Sequence, residues 1–410
     1  MRPQVKVFCA SFLGMLALFS SREAWFMVLC TQVKNFIHEE NDFSSQFLGV
    51  TDFLFLLTYT GGFFLCGELG EWVPATVLAG VGLVGMGFMY LLVALLCLQG
   101  RVTRVLYAGM WMVEGPLQSA VWMGNVGLMS RWFPPEGRGV LFGTWVTSCS
   151  VGNILGEALS ALISEEMGLP WEWIAFTTSG LVFAAAALLL FIDDKPTEKP
   201  NAELSTPLLD QEPACCQILC RPSVLSCALC LCCVKSLNFG LLMWLPYFFE
   251  SEFHLDLERT GELTAALDLG CIVGSLLGGW LSDKVQKRAT VVVGLLLCAS
   301  PVLTLFPFVS SAHLGLVFLL VLWMGVTVSG SSNLLFPSMA TDASQTSKGA
   351  DSKTLGLILG IGTLAAAVGQ VLIGWLITQG WVWVFALFVS NSHTALALMG
   401  ISVLVPQLVK

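Results

Sequence analysis

Apolar runs of about 20 residues recur along the whole chain, and each is long enough to cross a membrane as a helix. Only 11% of the 410 residues are charged, whereas a soluble domain needs about 25% to cover its surface. Backbone polar groups in lipid must be paired within the protein, which favours helices for these runs. The sequence therefore predicts a polytopic, all-α membrane protein.

Twelve spans are predicted, and they fall into two sets of six. The first set lies near 7–31, 46–66, 74–97, 104–129, 138–163 and 172–192, and the second near 223–249, 262–282, 289–309, 314–340, 354–378 and 381–405. The stretch between them is rich in proline and charge and has no apolar period, which is typical of a linker. We therefore expect a six-helix bundle at 1–192, a cytosolic linker at 193–222 and a second six-helix bundle at 223–410.

The positions of the basic residues predict how the spans are oriented. Lys and Arg accumulate in the loops on the cytosolic side of a membrane. With a cytosolic N-terminus, the four basic residues on the opposite side are Lys34, Arg101, Arg104 and Arg259, and nearly all the others are cytosolic. Both termini are therefore expected in the cytosol.

Two cations fall inside spans. Arg22 lies in the first span and Lys235 in the seventh, so each occupies the first helix of its half. The sequence separation of Asp52 and Asp268 is nearly the same as that of Arg22 and Lys235. This match predicts two halves that repeat one another around a midplane site. A charge in the hydrocarbon core costs about 2.5–3.5 kcal/mol. We therefore expect Arg22 and Lys235 to face a watery cavity between the halves.

These two cations have two possible roles. In the first role they hold an anionic substrate between them, since a guanidinium fork matches phosphate oxygens and a lysine adds a point charge. Alternatively they form structural ion pairs, Arg22 with Asp52 or Glu23 and Lys235 with Asp268. Glu23 is expected to be a poor partner, because successive side chains on a helix do not face each other.

Other classes of function lack support in the sequence. A net charge of −9 gives no reason to expect a nucleic-acid partner. The cysteines of "CCQILC" and "CALCLCC" are not followed by ligands at zinc spacing, so we expect no metal and no cofactor. The sequence shows no nucleophile–base pair of the kind that would suggest an enzyme. The expected partners are membrane lipid and a small anion.

Several stretches resemble known families. The loop "GGWLSDKVQKRATV" resembles the loop motif of the major facilitator superfamily, with Asp283, Lys284 and Arg288 matching. In that family its acid clamps one conformation on the cytosolic side. "SSREAW", "PLQSAVW" and "CCVKSLNFGLLMWLPYFF" resemble the organophosphate:phosphate antiporters, and within them the eukaryotic sugar-phosphate exchangers, solute carrier family 37. The resemblance covers nearly the whole chain.

The resemblance implies a function and a set of binding residues. It implies exchange of a phosphorylated sugar or related organophosphate for inorganic phosphate by alternating access, in an endoplasmic reticulum or endolysosomal membrane. It places Arg22 on the family's phosphate-binding arginine. The expected substrate-binding residues are Arg22, Lys235, Asn238, Gln118, Trp122 and Trp145, with the tryptophans available to stack on a sugar ring.

Two departures from the family pattern keep alternatives open. Glu23 stands where the family has a lysine, and the first-half loop reads "CGELGEW", where Glu68 alone matches the acidic motif. One alternative is a proton-coupled transporter of another organic anion, with Glu23, Asp52 and Asp268 as coupling or charge-balancing groups. The other is a transport-inactive partner of an accessory membrane protein.

Overall fold

The computed structural model describes residues 3–28, 45–99, 104–134, 137–170, 172–192, 222–255, 257–285, 287–339 and 351–404. Within these ranges the chain is all helical, with twelve long helices and no strand. Eleven of them are long and apolar enough to cross a membrane. The remaining helix, Arg104–Trp132, carries Glu114, Gln118 and Asn125 near its middle. The predicted fold class is confirmed.

The helix bounds follow the predicted spans. The first half contains α1 (Pro3–Val28), α2 (Ser45–Leu69), α3 (Ala75–Leu98), α4 (Arg104–Trp132), α5 (Arg138–Ala161) and α6 (Glu172–Leu190). The second half contains α7 (Pro222–Glu252), α8 (Leu257–Val285), α9 (Arg288–Leu305), α10, α11 (Asp351–Ile377) and α12 (Trp381–Leu404). Apart from Pro222, where α7 begins, the predicted linker lies outside the described residues, so the boundaries of the halves stay a prediction.

The helix α10 is composite. It begins at Leu314–Met324, passes through a π turn at Gly325–Ser329 and one α turn at Gly330–Asn333, and ends in a second π segment at Leu334–Met339. Such π segments rotate the side chains that follow them and are frequent at functional sites. The second segment carries Phe336 into the interface between the halves.

Packing within one half is repeated in the other. In the first half α1 packs on α4, α5 and α6, and α3 packs on α4 and α6. In the second half α7 packs on α10, α11 and α12, and α9 packs on α10 and α12. The halves meet mainly through two helix pairs, α2 with α11 and α5 with α8. Exchanging the halves converts one pair into the other, as expected for two repeated bundles.

Glycines allow these two helix pairs to approach closely. A Cβ atom at Gly139 on α5 would lie 2.6 Å from the carbonyl oxygen of Gly279 on α8. A Cβ atom at Gly356 on α11 would lie 2.6 Å from the carbonyl oxygen of Phe63 on α2. Both distances are too short for a side chain, so the backbones of the two halves touch where only hydrogen can fit.

Candidate functional site

Lys235 is buried at the interface between the halves. Its side chain is 3% exposed, and Nζ donates a hydrogen bond of 2.6 Å to Thr363 Oγ1 on α11. Four aromatic rings surround the ammonium, with centroids 4.3 to 5.8 Å from Nζ; they belong to Phe336, Phe63, Tyr59 and Phe239. In this conformation the ammonium therefore lies in an aromatic cage rather than in open water.

Both halves build this cage. Tyr59 and Phe63 come from α2 of the first half, and the other two rings come from α7 and α10 of the second. No carboxylate among the described residues forms an ion pair with Lys235. The structural pairing with Asp268 considered from the sequence is therefore not formed, and the cage and Thr363 stabilise the charge instead.

Arg22 lies on α1 with its side chain 15% exposed. Its Nη2 is 3.7 Å from Glu23 Oε2 and 3.4 Å from Asn153 Oδ1, and its Cζ lies 4.6 Å from the centroid of the Phe19 ring. Glu23 was expected to be a poor partner for Arg22; the two side chains bend toward one another and form a loose ion pair. Both polar contacts are long for charge-assisted bonds, which are usually about 2.7–2.9 Å.

Asp268 contacts the first half through the side chains of Asn153 and Ser150 on α5. The Asn153 amide nitrogen is 3.1 and 3.4 Å from the two carboxylate oxygens of Asp268. Asp268 is buried on α8, so the bond crosses the α5–α8 interface. Asp52 is half-buried on α2, and no described residue forms an ion pair with it. The pairing of Arg22 with Asp52 is therefore not formed.

One row of aromatic rings joins the surroundings of Arg22 to those of Lys235. The Phe19 ring below Arg22 contacts the Trp122 ring at a centroid distance of 6.1 Å. Trp122 in turn lies 4.6 Å from Phe336, which is one wall of the Lys235 cage. We call the rings of Phe19, Trp122 and Phe336 the aromatic bridge. The two cations thus lie at the two ends of one apolar surface that crosses the interface.

Of the remaining predicted binding residues, Trp145 packs against this bridge. Trp145 is fully buried, packs on Trp122 at 5.6 Å and donates from Nε1 to Ser11 Oγ at 2.9 Å, so here it is a core residue. Gln118 is buried on α4, and its Oε1 has no hydrogen-bond partner among the described residues. Asn238 accepts a 2.8 Å hydrogen bond from Ser329. No described hydrogen bond joins Gln118 or Asn238 to either cation.

The loop motif lies at one end of the interface. Asp283, near the end of α8, accepts hydrogen bonds from the backbone N–H groups of Gly139 (3.0 Å) and Val140 (2.8 Å) at the start of α5. A carboxylate at a helix N-terminus satisfies unpaired donors and complements the helix dipole. Lys284 Nζ lies 4.9 Å from the Trp280 ring, and Arg288 begins α9. Asp283 therefore joins the two halves.

A second contact joins the halves at the equivalent place. Lys353 Nζ, near the start of α11, lies 2.9 Å from Glu68 Oε1 near the end of α2. Glu68 is the one acid retained from the motif in the first half, so it occupies the position in α2 that Asp283 occupies in α8. We call the Asp283 and Glu68 contacts together the paired latch.

Several residues of this site were not predicted from the sequence. Asn153 and Thr363 are polar residues within apolar spans, which is a signal that could have indicated them. Phe63 and Phe336 give no such signal, because a phenylalanine within a span is ordinary. Their role depends on which helices meet at the interface, and this is visible only in the fold.

Comparisons with known proteins agree with this architecture. The family model described as Major Facilitator Superfamily matches residues 8–351. Sugar phosphate exchanger 3 of Bos taurus is 29% identical over 391 residues, covering 84% of this chain and 77% of that protein. Glucose-6-phosphate exchanger SLC37A1 of Mus musculus is 28% identical over 414 residues, covering 86% and 77%. The resemblance indicated by the sequence motifs is confirmed.

Solved structures show the same fold. The human organic anion transporter MFSD10 (TETRAN) superposes with a TM-score of 0.68 at 15% identity, covering 98% of this chain and all of that one. A bacterial homolog of the human lysosomal transporter Spinster gives a TM-score of 0.67 at 14% identity, covering 100% and 96%. At this level of identity the likeness concerns the fold alone.

Proposed function

This chain belongs to the major facilitator superfamily, and we propose that it is a secondary active transporter that exchanges a phosphorylated sugar or related organophosphate for inorganic phosphate. The relatives named as sugar phosphate and glucose-6-phosphate exchangers align with most of its length. A transporter of this kind performs no chemistry on its substrate, so the site needs to bind, occlude and release an anion.

The observation that carries the proposal is the pair of incompletely neutralised cations. Lys235 has no carboxylate partner among the described residues, and Arg22 has only long contacts to Glu23 and Asn153. Phosphate oxygens would give Lys235 an anionic partner and would give Arg22 the short, charge-assisted bonds that it lacks among the described residues. The aromatic bridge between them is buried in this conformation and would offer an apolar face to a sugar ring once the halves separate. The Oε1 of Gln118, which has no partner among the described residues, is a candidate acceptor for a sugar hydroxyl.

The interface gives a physical basis for alternating access. The Lys235 cage contains rings from both halves, so separating α2 from α7 and α10 opens it and exposes the ammonium. The paired latch closes the interface near the C-terminal ends of α2 and α8. With both termini in the cytosol, the latch lies on the cytosolic side, and its release opens the site to the cytosol. We place the protein in an endoplasmic reticulum or endolysosomal membrane.

The two alternatives receive less support. Relatives named as exchangers favour antiport over proton-driven uptake of another anion. Retention of both cations at equivalent positions argues against a transport-inactive partner, because an unneeded charge in a span would be costly.

Reconstitution tests the proposed function. Purified protein in phosphate-loaded vesicles is expected to take up labelled phosphate, and external glucose 6-phosphate is expected to compete with this uptake. Uptake should be lost in vesicles without internal phosphate, because exchange needs a counter-anion. Uptake that ignores internal phosphate but follows an imposed proton gradient would instead establish the proton-coupled alternative.

Removing the Asp283 contact is expected to open the latch. Asp283→Ala removes both acceptors for the α5 N-terminus, where hydrogen bonds to a charged group contribute about 1.5–3 kcal/mol each. A reporter cysteine at Ser275, which is buried at the α5–α8 interface, should then react at least about tenfold faster with a membrane-impermeant thiol reagent. The measurement uses a background in which the other interface cysteines are replaced.

Lys284→Ala is the matched control for the latch. Its side chain lies on Trp280 of the same helix, so the labelling rate should stay near that of the parent. Equal rates in Asp283→Ala and the parent would show that this contact does not hold the halves together.

A further inference from the structure

Asn153 connects the candidate anion site to the opposite half. Its Oδ1 faces Arg22 Nη2 at 3.4 Å within the first half. Its Nδ2 faces the Asp268 carboxylate of the second half at 3.1 and 3.4 Å. Asn153 is 6% exposed, so water does not compete strongly for these contacts. One amide therefore lies between a guanidinium on α1 and a carboxylate on α8.

The two charges fix the orientation of this amide. The carbonyl end carries partial negative charge and points to the cation, while the N–H end points to the anion. Rotating the amide by half a turn would place each end against a charge of the wrong sign. In a poorly solvated site such a polarised chain is stronger than its separate bonds. The orientation of the Asn153 amide, and with it the bond that Asn153 adds to the α5–α8 contact, thus depends on Arg22 being available to it.

A bound phosphate changes this arrangement. Its oxygens would compete with Asn153 and Glu23 for the Arg22 guanidinium and, being ionised, would form the shorter bonds. Asn153 would then lose the contact that orients it, and its bond to Asp268 would weaken. An anion bound at Arg22 would in this way weaken a contact between the two halves.

We infer that Asn153 is a positioning residue that makes movement of the halves depend on an anion at Arg22. Without the anion, the Arg22–Asn153–Asp268 chain holds α5 against α8 and prevents the carrier from returning empty. With the anion, the chain is released and the halves can rock. The inference rests on the proposed exchange function and adds the reason why exchange is coupled.

The test compares two fluxes in the same vesicles. Vesicles loaded with labelled phosphate are diluted into buffer with or without external phosphate, and the efflux rates give leak and exchange. For Asn153→Ala, the ratio of leak to exchange should rise at least about fivefold. A purely structural defect would lower both fluxes together and leave their ratio unchanged.

A variant in the second half and a control variant test whether the effect of Asn153→Ala depends on its bond to Asp268. Asp268→Asn removes the charge that orients the amide from the second half, so it should raise the same ratio, and the double variant should add little to either single change. It also provides the test should Asn153→Ala fail to fold. Asn333→Ala is the control, because Asn333 bonds to Cys271 and Ser275 on α8 from its own half; the ratio should stay within about twofold of wild type.

The outcomes separate this inference from the proposed function. If wild-type vesicles show no phosphate exchange, the proposed function fails and the inference fails with it. If wild type exchanges phosphate but the leak-to-exchange ratio is unchanged in both Asn153→Ala and Asp268→Asn, the exchange function stands and the coupling role of Asn153 is refuted.

Discussion

Arg22→Ala should lower phosphate exchange by about 100-fold or more, because a fork that binds two phosphate oxygens provides two bonds of about 1.5–3 kcal/mol each. Among the described residues, the polar contacts of the Arg22 guanidinium are the long ones to Glu23 and Asn153, so it can reorganise around an anion. Initial rates of labelled phosphate uptake into phosphate-loaded vesicles measure the loss. Retained activity in Arg22→Ala would contradict the proposed anion site.

Two further variants separate anion binding from charge balance. Arg22→Lys keeps the charge but loses the planar fork, so we expect it to recover only part of the exchange. If Arg22 instead serves only to neutralise Glu23, then Arg22→Ala combined with Glu23→Gln should restore exchange. We expect no restoration, since the double variant still lacks the group that binds phosphate.

The fold was largely predictable because hydropathy and matched charges are read along the chain. The apolar runs indicated the helices, and the equivalent positions of Arg22 and Lys235 indicated two repeated halves. Glu68 and Asp283 continue the pattern, since each ends the second helix of its half and contacts the opposite half. The resemblance indicated these positions at helix ends, whereas the backbone N–H partners of Asp283 are visible only in the fold.

The contacts of the site were less predictable because they join residues far apart in sequence. Asn153 meets Asp268 only because glycines such as Gly139 and Gly279 let α5 approach α8. The cage around Lys235 forms because a π segment of α10 turns Phe336 toward α2. The loose ion pair between Arg22 and Glu23 forms because helical geometry sets only the direction of the Cα–Cβ bonds, whereas long side chains can bend afterwards.

Lys235→Met should abolish exchange and, at the same time, raise the melting temperature of the protein. Lys235 is buried without a carboxylate partner among the described residues. Replacing even a buried ion pair by apolar groups of similar size can stabilise a protein by about 1–4 kcal/mol, because burial removes the charges from water, and the Lys235 ammonium has no opposite charge among the described residues to offset that cost. Methionine can fill the cage of aromatic rings, and sulfur packs well against ring edges. Thr363 keeps its 2.7 Å hydrogen bond to the Leu359 carbonyl, so no polar group is left unpaired.

This opposite movement of stability and activity distinguishes an anion anchor from a structural lysine, whose removal would lower both. Lys353→Met is the matched control for stability, because Lys353 has a carboxylate partner in Glu68 and its loss should not raise the melting temperature. Thermal unfolding in detergent and phosphate exchange in vesicles give the two readouts. A lower melting temperature for Lys235→Met would show that the caged ammonium stabilises the fold, and retained exchange would show that it does not bind the transported anion. A gain in stability with loss of exchange is the expected result, because a charge that weakens the closed conformation is retained only where an anion needs it.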